Sequence, residues 1–193
     1  MIIKANTIPN PELATVNTEQ TAEVMRSVGA TLALSPMVDL IRTAHWPRIE
    51  ESYGEDGYLS AAMGVAFVEG LQKNGLKDGV AACTKHFLGY GGGSSLTWKE
   101  IFEEVLMLHE AMIRLADCKV LMTSYGRFRS EQAVSSDTLL NKILRGYLEF
   151  DGLVVGDYGA VEHSSQKGNP EILKQRAIEA LVAGNDIDRK SVV

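Results

Sequence analysis

Cysteine is scarce in this chain. The two, Cys83 and Cys118, among 193 residues are too few for a disulfide framework, and both sit at strand positions where they read as small buried hydrophobes. A basic surplus is missing too. Nineteen Lys and Arg against 25 Asp and Glu leave a formal charge of −6, so nothing drives binding to nucleic acid or an anionic membrane surface. No apolar run approaches the roughly 18 to 20 residues of a membrane span. The opening Met1-Ile2-Ile3-Lys4 lacks the basic-then-apolar order of an export signal. His45, His109 and His163 stand at no metal-ligand spacing with one another or with cysteine, which argues against a metal centre. Gly91-Gly92-Gly93 could cradle a phosphate but lacks the Gly-Lys-Ser/Thr ending of a P-loop, so it reads as a flexible loop.

What is present is ordinary globular composition, 45% hydrophobic and 23% charged, in a chain long enough to bury a core. Short uniform apolar runs lie at Thr31 to Leu34, Gly79 to Cys83, Lys119 to Met122 and Leu153 to Val155, with a weaker one at Asp186 to Asp188. Uniform runs predict strands covered on both faces. Between them lie amphipathic stretches. Thr97 and Glu100 predict a capping box opening a helix to Ala116, with Trp98, Ile101, Phe102, Val105, Leu106, Met112 and Ile113 on one stripe. Met107 and Met112 read as helix core, and Glu100, Glu103 and Glu104 as a solvated face. Leu139, Leu140, Ile143, Leu144, Tyr147 and Leu148 form a second stripe, opened by Ser135 or Ser136. Asn169-Pro170 predicts a helix start, with an end near Gly184. Thr18 to Val28 and Asp56 to Lys73 predict two earlier helices, stopped by Gly29 and Gly75.

Repeated βα units predict a parallel sheet under covering helices. No Gly-x-Gly-x-x-Gly follows a strand, so a dinucleotide-binding sheet has little support. Polar residues stand just beyond several runs: Asp39, Lys85-His86, Tyr125 and Asp157. Barrels build their sites at strand C-terminal ends, which favours a partial (β/α)8 barrel. About five βα units are present where a barrel has eight.

Around one pocket, a carboxylate, an ammonium, an imidazole and a phenol suit a polyhydroxylated ligand. Asp157 could attack a sugar carbon or act as a base, and Lys85 and His86 could donate to hydroxyls. Each also has a plainer reading: Asp157 as a helix cap, Lys85 as an ion-paired lysine, His86 as a structural histidine.

Four stretches carry a resemblance. They are Ser35-Pro36-Met37-Val38-Asp39-Leu40 running through Arg42 to His45-Trp46-Pro47-Arg48-Ile49-Glu50-Glu51-Ser52-Tyr53-Gly54-Glu55-Asp56; Lys85-His86-Phe87-Leu88-Gly89-Tyr90-Gly91; Val120-Leu121-Met122-Thr123-Ser124-Tyr125; and Ile143-Leu144-Arg145-Gly146 followed by Phe150-Asp151-Gly152-Leu153-Val154-Val155-Gly156-Asp157-Tyr158-Gly159-Ala160. In order and spacing, from about residue 5 to 188, they resemble the catalytic domain of glycoside hydrolase family 3, the family of β-glucosidases, β-xylosidases and exo-glucanases. The resemblance implies a retaining hydrolase of terminal β-linked glucosyl or related residues. It implies no metal or organic cofactor, and β-glycosides or oligosaccharides as substrate. Asp157 falls at the nucleophile's position. Arg48, Lys85, His86 and Tyr125 fall at positions that bind sugar hydroxyls or lie beside the nucleophile, and Met122 at one lining the pocket. Gly156 replaces a usual serine, Pro47 a usual glycine, and Gly126 follows Tyr125 where the family has asparagine.

In the family the acid/base is usually a second carboxylate from a following domain, and in a minority, the β-N-acetylglucosaminidases, it is a histidine on the loop after the Lys-His-Phe strand. Residues 91–97 hold neither His nor Asp, so the acid/base is expected from a C-terminal domain outside this sequence, and the piece alone is expected to have little or no activity. The first two strands and the last of the barrel are also expected to be missing. The reading divides the chain into a partial domain, 1–187, and a tail, 188–193, that departs from the family and resembles translated sequencing adapter. Family members are often periplasmic or secreted, so that location is the expectation. Two rivals remain: a barrel lyase or aldolase with a Schiff base on Lys85, and a non-catalytic carbohydrate-binding relative.

Overall fold

The computed structural model describes residues 9–90, 96–163 and 169–189. The glycine loop at 91–93 and the tail beyond Arg189 lie outside the described residues. Chain order runs α1 (Pro11–Ser27), β1 (Leu32–Ala33), α2 (Gly57–Gln72), β2 (Ala81–Phe87), α3 (98–116), β3 (Val120–Thr123), a hairpin of β4 (Arg127–Phe128) and β5 (Glu131–Gln132), α4 (Thr138–Tyr147), β6 (Leu153–Val155), α5 (Ala160–His163) and α6 (Pro170–Val182).

The sheet is parallel, in the order β1-β2-β3-β6. Each new strand joins on the same side as the chain advances. A doubly wound sheet reverses direction at a switch point, whereas a barrel does not, so this is an arc of a (β/α)8 barrel. The fifth apolar run contributes one parallel bridge, Val155 to Ile187.

Alternation along the strands separates two cores. Cys83, Val120, Met122 and Val155, with Leu34 and Ala81, pack on the concave side. Ala82, Leu121 and Val154 face the helices and join the large core with Val68, Leu71, Leu106, Leu108, Leu140 and Leu144. Where α1 crosses α2, a Cβ on Gly70 would stand 2.0 Å from Thr18 Oγ1 and 2.4 Å from the Thr15 carbonyl oxygen. Only glycine permits that approach.

Local signals behave as their chemistry dictates. The Thr97–Glu100 capping box forms, with Glu100 Oε2 accepting from Thr97 N at 2.8 Å. Asn169 caps α6 ahead of Pro170, Asp56 caps α2, and Ser136 Oγ accepts from Leu139 N at 3.1 Å to open α4. Gly29 and Gly75 take positive φ just past α1 and α2.

Other expectations are corrected. α1 begins at Pro11 rather than near Thr18, because Asn10 caps Leu13 N and Pro11 fits the first turn. β1 is only Leu32–Ala33 and is not covered on both faces: Leu32 is 39% exposed, because β1 has a single sheet neighbour among the described residues. The aromatic stripes also slip. Trp98, Phe102 and Tyr147 are exposed and stack along the surface with Phe128. α3 winds as π-helix over Ile101–Val105 and α4 over its length. Wider turns change the angular step per residue, so a 3.6-residue period misplaces Phe102 and Tyr147, while Trp98 stands in the α-helical first turn of α3. Finally, Glu100 and Glu104 are not merely solvated, since both pair with Arg42.

Candidate active site

The register of the sheet sets the floor of the site. Met37 bridges Lys85, Lys85 pairs with Met122, Met122 with Val155, and Val155 bridges Ile187. One layer of residues therefore crosses the concave side, with Met122 buried in it. Above that layer the strands end. Lys85–His86 and Phe87–Leu88 are cis peptide bonds, and the β2–β3 register shifts between Lys85 and Phe87.

His86 is the hub. Its Nδ1 lies 2.7 Å from Asp39 Oδ2, and its backbone N–H donates to the same oxygen at 3.1 Å. Asp39 Oδ1 accepts from Tyr90 N at 3.2 Å, so one buried carboxylate ties β2 to the loop beyond it. With Nδ1–H donated to Asp39, the other ring nitrogen is left for partners at the strand ends. Nε2 lies 3.1 Å from Arg48 Nη1 and 3.4 Å from Asp157 Oδ2. A neutral ring accepts from Arg48, and a charged ring turns its Nε2–H to Asp157. Burial opposes charge on His86, but its bonds to Asp157 and Asp39 outweigh that and hold its pKa above the ordinary value.

Asp157 ends β6 and is 6% exposed. Its Oδ1 accepts from Tyr158 N at 2.7 Å and from Arg189 Nη1 at 3.2 Å. Burial would raise its pKa, yet the His86 and Tyr158 bonds and the charge of Arg189 bring it below the ordinary value, so it stands ready as a carboxylate.

Arg48 is fixed by Glu51 in a two-pronged ion pair, Nε to Oε1 and Nη2 to Oε2, both 2.6 Å. That leaves Nη1 for His86. The Glu51 bond raises the Arg48 pKa and lowers that of Glu51. Lys85 is half-buried, and burial, then the nearby Arg48 cation, lowers its pKa. Tyr125 donates to the Tyr158 carbonyl at 2.6 Å. Burial, then the charge of Asp157, raises the Tyr125 pKa. Tyr90 stacks near His86 (4.8 Å between centroids), Trp46 (5.9 Å) and Tyr125 (6.0 Å), giving an aromatic wall. Beneath, His109 contacts Thr84 Oγ1 at 3.3 Å, and burial pushes its pKa down to about 4. A small crevice, with room for about one water molecule, backs onto Asp39 between Arg42, Gly89 and His109 and does not include Asp157. Among the described residues, no cluster of three His, Cys, Asp or Glu could hold a metal ion, and no helix is long and apolar enough to cross a membrane.

Arg48, Lys85, His86, Met122, Tyr125 and Asp157 thus surround one region at the strand ends. Sequence reasoning gave no role to Asp39, Glu51 or Tyr90, and it set Arg189 in the tail. Asp39 had a signal, an aspartate just past an apolar run; Glu51, three residues after Arg48 in an acidic stretch, had little.

Comparisons with known proteins point the same way. The model of the glycosyl hydrolase family 3 N-terminal domain matches residues 4–189. A β-xylosidase of Formosa agariphila is 36% identical over 192 residues, covering 92% of this chain and 27% of that protein. A periplasmic β-glucosidase of Salmonella typhimurium is 29% identical over 169 residues, covering 82% of this chain and 22% of that protein. Among solved structures, a β-glucosidase from Erythrobacter marinus superposes with a TM-score of 0.85 at 33% identity, covering 92% of this chain and 25% of that one. A mutant β-glucosidase from Listeria innocua in complex with laminaribiose superposes with a TM-score of 0.83 at 31% identity, covering 93% and 26%. The chain spans about a quarter of the length of such relatives. It belongs to glycosyl hydrolase family 3, matching that family's N-terminal domain.

Proposed function

We propose that this chain is the sugar-binding, nucleophile-bearing part of a retaining β-glycosidase acting on terminal β-linked glucosyl or related residues. The observation that carries the reading is the Asp157 carboxylate, at the end of β6, facing the Nε2 of a histidine held by Asp39.

In the first step an Asp157 oxygen bonds to the anomeric carbon as the bond to the leaving oxygen breaks. That oxygen takes its proton from an acid/base that we place in sequence beyond this chain, as the family resemblance implies. In the second step the acid/base, now deprotonated, takes a proton from water as the water oxygen bonds to the anomeric carbon, the ester bond to Asp157 breaks, and the aspartate returns as a carboxylate. His86, Arg48 and Lys85 bind hydroxyls of the sugar. Held rigidly, they fix the ring against Asp157 as it flattens toward the transition state. The aromatic wall gives the apolar face of the ring a surface to lie against. The β-glucosidases and β-xylosidases among the relatives support this substrate class.

An aryl glucoside with a good leaving group, such as 2,4-dinitrophenyl β-glucoside, needs no acid for the first step. Mixing it with the 193-residue chain is expected to release about one equivalent of dinitrophenolate in a burst, followed by slow turnover. Asp157→Asn is expected to abolish the burst. Binding without a burst would favour the non-catalytic relative, and borohydride trapping of a carbonyl substrate on Lys85 would favour the Schiff-base reading.

A further inference from the structure

Asp157 is preceded by a residue with no side chain, and what steadies it comes from another element. The Gly156 N–H donates to the Ile187 carbonyl at 2.7 Å. The same carbonyl accepts Nδ2 of Asn185 at 3.1 Å. Asn185 is 2% exposed, and its Oδ1 is buried with no hydrogen-bond partner among the described residues. The amide orientation is fixed by chemistry, since Oδ1 in place of Nδ2 would set two acceptors face to face. The segment itself is anchored: Asp186 N and Ile187 N both donate to the Val154 carbonyl (2.8 and 3.1 Å), and Asp186 Oδ2 accepts from Val154 N at 2.7 Å and pairs with Arg145 at 2.9 Å.

A buried side chain that leaves one polar atom unpaired carries an uncompensated desolvation cost. What Asn185 does with its other end is the reason to look for a function. That end grips the acceptor that holds the backbone just before the candidate nucleophile. We infer that Asn185 is a positioning residue for Asp157, acting through the Ile187 carbonyl on the Gly156 N–H. The inference deepens the reading of Asp157 as the nucleophile and rests on it.

Position 156 shows how the role could be shared. A Cβ built on Gly156 stands 3.6 Å from both the Ile187 carbonyl oxygen and Asn185 Nδ2, in ordinary contact and without clash. A serine hydroxyl there could donate to the Ile187 carbonyl in place of the Asn185 amide. Asn185 and a hydroxyl at 156 are therefore alternative donors to one acceptor, and the first is needed because the second is absent.

The test compares the 193-residue chain, Asn185→Ala, and Asn185→Ala with Gly156→Ser, by two readouts. One is hydrogen exchange at the amide of Gly156. The other is the dinitrophenolate burst, resolved into its rate constant and the glucoside concentration giving half the maximal rate. Asn185→Ala is expected to speed exchange and to slow the burst roughly 10- to 100-fold, the scale set by a small misplacement of a reacting group, with the half-maximal concentration unchanged. Gly156→Ser is expected to restore most of both. If Asn185→Ala fails to fold, Asn185→Asp, equal in volume but without the N–H, replaces it. Unchanged exchange overturns the inference whatever the burst does. A slowed burst that serine does not rescue in a folded protein also overturns it, leaving Asn185 a structural residue. If exchange rises in Asn185→Ala but the parent chain gives no burst, the reading of Asp157 fails and the positioning role falls with it.

Discussion

One oxygen of Asp39, Oδ2, holds His86 twice, through ring Nδ1 at 2.7 Å and through the backbone N–H at 3.1 Å. The ring cannot rotate without breaking the first bond, and the end of β2 cannot shift without breaking the second. Both partners are buried, so neither group has water to fall back on. The direction in which Nε2 points, toward Arg48 and Asp157, is thus set by an acidic side chain from the neighbouring loop.

Removing that acid is expected to be costly. Asp39→Ala strips a buried charged partner from His86 and leaves the Tyr90 N–H without its acceptor, a change on the order of 3–5 kcal/mol. Asp39→Asn keeps the shape and one acceptor and should lose less. Urea unfolding of the two variants checks the order, and an Asp39→Ala as stable as the parent would contradict the role assigned to this pair.

The two titrating partners make opposite demands on pH. The Asp157 pKa lies below its ordinary 3.8, so the unfolded chain binds that proton more tightly. Its stabilisation is whole above 3.8 and fades as pH falls through the lowered value. The His86 pKa lies above its ordinary 6.5, so its contribution is whole below 6.5 and fades as pH rises through the raised value. Buried His109, with its pKa held down at about 4, adds a loss as pH falls from 6.5 toward 4, so stability should peak near 6.5, at the upper end of the interval between the two. His86→Gln should flatten the decline on the alkaline side, measured by urea unfolding from about pH 5 to about pH 9. A decline of unchanged slope in the variant would place its cause elsewhere.

Gly70 offers a test of packing alone. Any Cβ there meets Thr18 Oγ1 at 2.0 Å and the Thr15 carbonyl at 2.4 Å. Gly70→Ala must push α1 away from α2, and a loss of about 1–3 kcal/mol is expected. A thermal unfolding midpoint no lower than the parent's would mean that the helices are not this close.

Much of this was legible in the sequence because it rests on local chemistry. Thr97 with Glu100, Asn169 with Pro170, and Asp56 before an apolar run each satisfy orphan N–H groups by spacing alone. Strand runs showed as uniform apolar stretches because helices and barrel interior cover most of the sheet. What depended on distant partners did not show. The exposure of Leu32 follows from how many strands flank β1. Phe102 and Tyr147 lie in π-helical stretches, which no 3.6-residue pattern carries, and Trp98 stands exposed in the first turn of its helix. Asp39 was visible as a polar residue past a strand, but its hold on His86 spans 47 residues of sequence. Asn185 lay in a stretch that follows the family, but its role did not show, because its partner is a backbone carbonyl.

The claim on which the rest depends is that Asp157 bonds to the anomeric carbon. The most direct measurement is to incubate the chain with 2,4-dinitrophenyl 2-deoxy-2-fluoro-β-glucoside, digest it, and locate the added mass by tandem mass spectrometry. The account predicts a single fluoroglycosyl ester on Asp157, absent from Asp157→Asn. The same mass on another carboxylate, on Lys85, or on no residue while the sugar still binds, would contradict it.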